Sequence, residues 1–176
     1  MQTDSSTPHG AITIRQAVLA DAGALRELRL EALQLHPEAF GSDYERELNQ
    51  PVGKWEERLS AQDYNVVFVA ASAAGLVGMT GVFRSELIKM KHNASIYGVY
   101  VRPGWRGQGL GKGLIEAGLD WARQRALKFV RLAVVTSNTP AILTYQKAGF
   151  RVYGVEQAVL FHAGSYYDEL LMACEL

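Results

Sequence analysis

The sequence predicts an α/β domain: a mixed, mainly antiparallel sheet of about seven strands with helices on both faces. Three observations carry that expectation. Short runs rich in β-branched and aromatic residues recur at 12–17, 66–71, 76–83, 96–101, 129–135, 151–160 and 166–175. Stretches with helical apolar spacing separate several of them, at 21–35, 51–59, 110–122 and 139–147. Two pairs of runs are joined by short turns, Ser72-Ala73-Ala74-Gly75 and His162-Ala163-Gly164-Ser165, which is a hairpin signal.

In chain order, residues 1–10 are polar and read as a disordered tail before a single domain over 11–176. Ile12 to Ala17 alternates like a strand with one buried face. Asp21 is positioned to cap a helix with Leu25, Leu28, Ala32 and Leu35 inward, closed by Pro37. Glu38 to Gln50 lacks periodicity and reads as a loop with room for one helical turn. Pro51 opens a helix containing Trp55 and Leu59. Gly78 and Gly81 inside the 76–83 run predict a bulge or a close approach. Glu86 to His92 is a solvated hairpin tip, and the central strand begins at Asn93.

That strand ends at Arg102-Pro103-Gly104 and leads into Arg106-Gly107-Gln108-Gly109-Leu110-Gly111-Lys112-Gly113, after which helical spacing begins. A strand, a glycine-rich turn and a helix N-terminus make an anion cradle, because first-turn N–H groups are free and glycines let phosphate oxygens approach. Arg106 and Lys112 add charge on either side. A nucleotide P-loop does not fit: Arg106 stands where its first Gly belongs, and Gly113 replaces the magnesium-binding hydroxyl. The dinucleotide fingerprint fails at Leu114. Arg106 to Gly111 does fit Arg/Gln-x-x-Gly-x-Gly/Ala. A second pattern follows the 129–135 strand, running Asn138, Ala141, Tyr145 and Gly149-Phe150.

Together the two patterns resemble the acyl-CoA loop and second signature of the GNAT N-acetyltransferase superfamily, and the resemblance covers Ile12 to the C-terminus. It implies a GNAT-like sheet in which the strand ending at Val101 splays from the strand beginning near Phe129, with pantetheine in the split. It implies acetyl-CoA as donor. Val99, Tyr100 and Val101 become candidates to offer main-chain groups to pantetheine and to the thioester oxygen. Gln108 to Gly113 would hold the pyrophosphate, Asn138 would contact pantetheine, and small Ala141 would let the helix approach it. Lys147 could reach the adenosine phosphates, although a surface lysine is more often simply solvated. Tyr145 is the candidate catalytic acid, its phenol near the cofactor sulfur and able to protonate the departing thiolate.

The base is not legible. Ile96 to Val101 has no carboxylate or imidazole, Ser95 and Tyr97 being the nearest polar side chains. Water relayed through Tyr97 or a main-chain carbonyl is one route. Glu31, Glu38, His92 and Asp168 are outside candidates. Three functions follow: acetylation of a small, amino-acid-like amine, acetylation of a protein N-terminus or lysine, or CoA binding for regulation without turnover. An intact Tyr145 and a complete loop favour an enzyme.

Composition bounds the rest. The chain has 176 residues, 48% hydrophobic and 20% charged, which suits one globular domain. Lys+Arg and Asp+Glu both number 18, and a net charge of zero argues against a general nucleic-acid binder. The lone Cys174 forbids an intrachain disulfide. No apolar run approaches the ~20 residues of a membrane span, and the N-terminus lacks a signal pattern. The expectation is a cytoplasmic enzyme with a small-molecule or peptide amine as partner, no nucleic acid, no membrane and no metal, and with a homodimer left open.

Overall fold

The computed structural model describes residues 3–7, 10–60 and 63–176. Eight strands form one sheet in the order β1-β2-β3-β4-β5-β6-β8-β7. They are β1 (Thr3–Thr7), β2 (Gly10–Gln16), β3 (Asn65–Ser72), β4 (Gly75–Arg84), β5 (Asn93–Val101), β6 (Phe129–Val135), β7 (Arg151–His162) and β8 (Ser165–Glu175). The helices are α1 (Ala22–Leu35), α2 (Tyr44–Leu48), α3 (Val52–Ser60), α4 (Leu110–Gln124) and α5 (Thr139–Lys147).

The eighth strand is a correction. Within the segment read as a disordered tail, Thr3–Thr7 pair antiparallel with β2, Thr3 opposite Ile14 and Thr7 opposite Gly10. Backbone pairing at a sheet edge needs no apolar side chains, so hydrophobic periodicity does not register it. Met1, Gln2, Pro8 and His9 lie outside the described residues.

Side-chain alternation along the strands divides the core into layers. Val67, Val69 and Met79 bury on the face covered by Leu25, Leu28 and Ala32 of α1 and Trp55 and Leu59 of α3. Val66, Val82, Ile96, Val130 and Leu132 bury on the opposite face, under Ile115, Leu119 and Ala122 of α4 and beside Tyr145 and Phe150. Gly113 brings α4 down onto β2, for a Cβ there would stand 2.5 Å from Ile14 Cδ1. The glycines of β4 allow close approach: the Tyr97 ring covers Gly81, and a Cβ on Gly78 would meet Leu114 at 3.0 Å.

Every neighbouring pair in the sheet is antiparallel except β5 and β6. Those two run parallel and pair only at Asn93–Phe129, Ala94–Val130 and Ser95–Arg131, then separate. The predicted splay is therefore present, and it begins three residues into β5.

Asp21 precedes α1 as expected, but its carboxylate faces the preceding chain and makes no side-chain cap to α1. Its oxygens accept from Arg15 Nη1 and Nη2 at 2.6 and 2.9 Å and from the Val18 N–H at 2.8 Å. Those donors, Arg15 first, hold the Asp21 carboxyl below its usual range against the opposing cost of burial. A depressed folded-state pKa contributes stability above the unfolded value, and that stability is lost as pH falls through the folded value. Asp21→Asn should therefore cost roughly 1–3 kcal/mol at pH 7 by leaving Arg15 unpaired. Urea unfolding should show the gap closing as pH drops below the carboxylate range. A constant gap across that range would refute the ionic contribution.

Candidate active site

Where β5 and β6 part, a groove of about 680 Å³ opens between them. Its walls are Val99 to Val101 of β5, Leu132 to Val135 of β6, the turn before α4, and Asn138, Ala141, Thr144, Tyr145 and Lys147 of α5 with its N-terminal turn. The connection after α1 also lines it, through His36, Glu38, Ala39 and Phe40.

The turn before α4 has the backbone an anion requires. Gly107 and Gly109 both have φ of 78°, and no atom lies within 4 Å of where a Cβ on either would be. Gly109 is the residue before the first helical turn. The first turn closes with Gly113 N–H donating to Gly109 O at 2.9 Å, so the N–H groups of Leu110, Gly111 and Lys112 have no helical acceptor. Open space in front of free N–H groups on a helix N-terminus fits a diphosphate.

Not every loop residue faces that space. Arg106, Gly107, Gly109, Leu110, Gly111 and Lys112 line the groove, but Gln108 and Gly113 do not. Gly113 is spent on the contact with Ile14. Gln108 Oε1 is buried without a hydrogen-bond partner among the described residues. The two flanking cations are also engaged within the chain. Arg106 Nε donates to Val101 O at 2.9 Å, and its Nη2 lies 2.9 Å from His36 Nε2. Lys112 Nζ is 3.3 Å from Glu116 Oε1 on the exposed side of α4. Arg106 thus ties the loop to the end of β5, and the backbone provides the cradle.

Opposite the split, β5 carries a bulge. Gly81 pairs with Tyr97 and Met79 with Tyr100, so β5 has one residue more than β4 between those pairs. Gly98 takes φ of 63°, the left-handed conformation a glycine adopts readily. The extra residue in a bulge leaves the ladder, which frees main-chain groups beside Val99 for another partner.

Tyr145 projects from α5 into the groove and is almost wholly buried. Gly149 ends the helix with φ of 96°, letting Phe150 N–H return to Tyr145 O at 3.0 Å. The Phe150 ring then meets the Tyr145 ring edge-on, centroids 6.1 Å apart. The Gly149-Phe150 pair thereby fixes the tyrosine about one turn back. Burial pushes the Tyr145 phenol well above its ordinary pKa, so it stays protonated. Asn138 caps α5, its Oδ1 accepting from Ala141 N–H at 3.3 Å, which leaves its amide donors for another partner.

The base candidates separate by position. Glu31 is bound to Tyr100 Oη at 2.8 Å and to Arg102 at 2.9 Å, and Tyr100 is pushed up to about 12 by burial and by that carboxylate. Asp168 Oδ1 accepts from Ala158 N–H at 2.8 Å and holds an irregularity in β7. His92 lies in the hairpin tip, off the groove. Tyr97 donates to Asn65 Oδ1 at 2.7 Å, so its hydroxyl is committed elsewhere. Glu38 does face the groove, and so does His36, which sequence reasoning missed. A guanidinium can only donate, so His36 Nε2 accepts from Arg106 and the ring proton rests on Nδ1, 3.9 Å from Glu38 Oε1. No periodicity marks 36–40, because its 3-10 turn buries none of its residues.

A family model described as the Acetyltransferase (GNAT) family matches residues 26–150, from α1 through Phe150. The chain belongs to that family. It is an acyltransferase, and the acyl donor of GNAT enzymes is acetyl-CoA. The streptothricin acetyltransferase of Streptomyces lavendulae is 31% identical over 146 residues, 81% of this chain and 70% of that protein. The mycothiol acetyltransferase of Saccharomonospora viridis is 47% identical over 70 residues, but this covers only 40% of the chain and 22% of that relative. Among solved structures, a GNAT acetyltransferase from Streptococcus pneumoniae has a TM-score of 0.84 at 22% identity, covering 94% of this chain and 99% of that one. The Salmonella typhimurium yncA structure, solved with acetyl-CoA, has a TM-score of 0.82 at 23% identity, covering 94% of each chain. Among the described residues, no helix is long and apolar enough to cross a membrane, and no cluster of side chains is suited to a metal ion.

Proposed function

We propose that this GNAT enzyme moves an acetyl group from acetyl-CoA directly to a primary amine of a small-molecule acceptor. One observation carries the reading: a single groove joins the glycine-rich anion cradle, the bulge of β5, Tyr145 and the carboxylate of Glu38. Its size suits a small-molecule site, and sites of this kind commonly have volumes of about 300–1,000 Å³. The similarity to a protein named streptothricin acetyltransferase supports a small acceptor.

The thioester supplies an activated acyl carbon. The backbone of Gly107 and of Gly109 to Lys112 binds the diphosphate, and Asn138, Ala141 and the edge of β5 hold the pantetheine arm. Main-chain donors at the bulge face the acyl oxygen and stabilise charge that develops there. Glu38 takes the proton of the amine, with His36 and Arg106 fixing the connection that carries it. Tyr145 gives its phenolic proton to the leaving sulfur. Lys147, at the rim of the groove, interacts with the adenosine phosphates.

A thiol-release assay with acetyl-CoA against amines, amino acids and peptides tests the reading. Release should depend on an amine and be strongest with small acceptors. Glu38→Gln should lower kcat/KM for the best amine by about 10²-fold or more. Absence of amine-dependent release would refute the transferase reading, and an active Glu38→Gln protein would remove Glu38 as the base.

A further inference from the structure

A second, much smaller cavity of about 40 Å³ lies between α1, α3 and the sheet. It shares Tyr97 and Gly98 with the main groove, so it adjoins the acceptor side of the bulge. Arg29, Trp55, Arg58 and Thr80 also line it.

Three of its polar atoms have no hydrogen-bond partner among the described residues: Arg29 Nη1, Trp55 Nε1 and Thr80 Oγ1. All three are shielded from solvent, and Thr80 as a whole is completely buried. A buried donor without an acceptor costs about 1–3 kcal/mol, and a charged one costs more. An indole N–H and a guanidinium can only donate, and a hydroxyl can donate, so what this cavity lacks is an acceptor.

Charge points the same way. Arg58 stacks on the Trp55 ring at 4.4 Å and pairs with the buried Glu47 at 3.1 Å. Glu47 is thereby engaged, and the Arg29 guanidinium has no ion pair of its own among the described residues. Arg29 stacks over Phe40 with its Cζ 4.7 Å from the ring centroid. Burial pulls its pKa below the ordinary value, with Glu47 only partly opposing. Its Nη1 is 3.5 Å from where a Cβ on Gly98 would be, so the absence of a side chain there lets the guanidinium lie against the bulge.

We propose that this cavity binds a carboxylate of the acceptor, which makes the acceptor an amino-acid-like molecule with its amine and carboxylate a few bonds apart. The inference rests on the amine-acetylation reading and narrows it. Arg29 receives the carboxylate through its fork, and Thr80 and Trp55 complete its hydrogen bonds. A carboxylate suits the donor set: its two coplanar oxygens match a guanidinium fork and can still accept from a hydroxyl and an indole N–H. Held there, the acceptor can reach around Gly98 and present its amine to the groove.

Calorimetry on the full chain saturated with CoA tests this, using α-, β- and γ-amino acids beside their carboxamides. At least one acid should bind ten-fold or more tightly than its amide. Arg29→Met retains an unbranched apolar side chain beside Phe40 without the guanidinium and should reduce that acid to the affinity of the amide, with CoA affinity unchanged. Thr80→Val should weaken the acid alone by a smaller factor, and it provides the same test if the Arg29 variant fails to fold. If no acid is preferred over its amide, water serves the three donors and the proposal is overturned. An equal loss for acid and amide in the variants also overturns it. Thiol release without acid preference would sink this subsite alone, whereas acid binding without thiol release would sink the transferase reading alone.

Discussion

Gly109→Asp is expected to abolish measurable CoA binding in a chain that remains folded. Gly109 has φ of 78° and ψ of 0°, immediately before α4. The left-handed region costs a residue with a Cβ roughly 1–2 kcal/mol, and Asp tolerates it better than most. No protein atom lies within 4 Å of the new Cβ, so the substitution creates no internal clash. The loss falls on the ligand. A carboxylate would occupy the space in front of the free N–H groups and repel a diphosphate. One pair of unit charges at ~4 Å repels by about 4 kcal/mol at an effective dielectric constant near 20, which is close to 10³-fold in affinity. Gly109→Ala adds the backbone strain without the charge and should lose far less. Calorimetry with CoA measures both variants. Undiminished affinity in a cooperatively unfolding Gly109→Asp protein would remove the loop from the cofactor site.

Much of this site was legible before any coordinates, because its parts are local. The glycines before α4 announce a turn and a helix start within eight residues, and positive φ at Gly107 and Gly109 bears that out. The hairpin of β7 and β8 and the start of β5 at Asn93 follow from period-2 runs and turn residues. What sequence could not supply are pairings across long separations. Nothing near Arg106 indicates that its guanidinium will reach His36, seventy residues earlier. Gly113 looks like one more cradle glycine, yet its role is decided by Ile14 on another element. Thr80 reads as an ordinary strand residue; only the assembled layers show that its hydroxyl is buried beside Arg29. Glu38, Glu31, His92 and Asp168 were indistinguishable as candidate bases for the same reason. Their separation depends on partners that α1, β5 and β7 bring to them.

Tyr145→Phe should leave acetyl-CoA affinity nearly intact while lowering turnover. The substitution deletes only the hydroxyl, and the edge-on contact with Phe150 and the end of α5 are built from ring and backbone, so the position should keep its shape. Burial holds the phenol protonated beyond the ordinary tyrosine range. The donor form is therefore present at all neutral and mildly alkaline pH, and loss of a Tyr145 proton should not produce a falling limb in the pH profile there. General acid catalysis is typically worth about 10²–10⁴-fold, and a loss of that size would fit proton delivery to the sulfur. A smaller loss has two explanations: slow product release in the wild type, or protonation of the thiolate by water. Donors with different thiol leaving groups separate them, because an acid role predicts a larger Phe penalty for more basic thiolates. Single-turnover kinetics isolate the chemical step. If that step is as fast in the Phe variant as in the wild type, Tyr145 only packs against the cofactor, and the sulfur must take its proton from elsewhere.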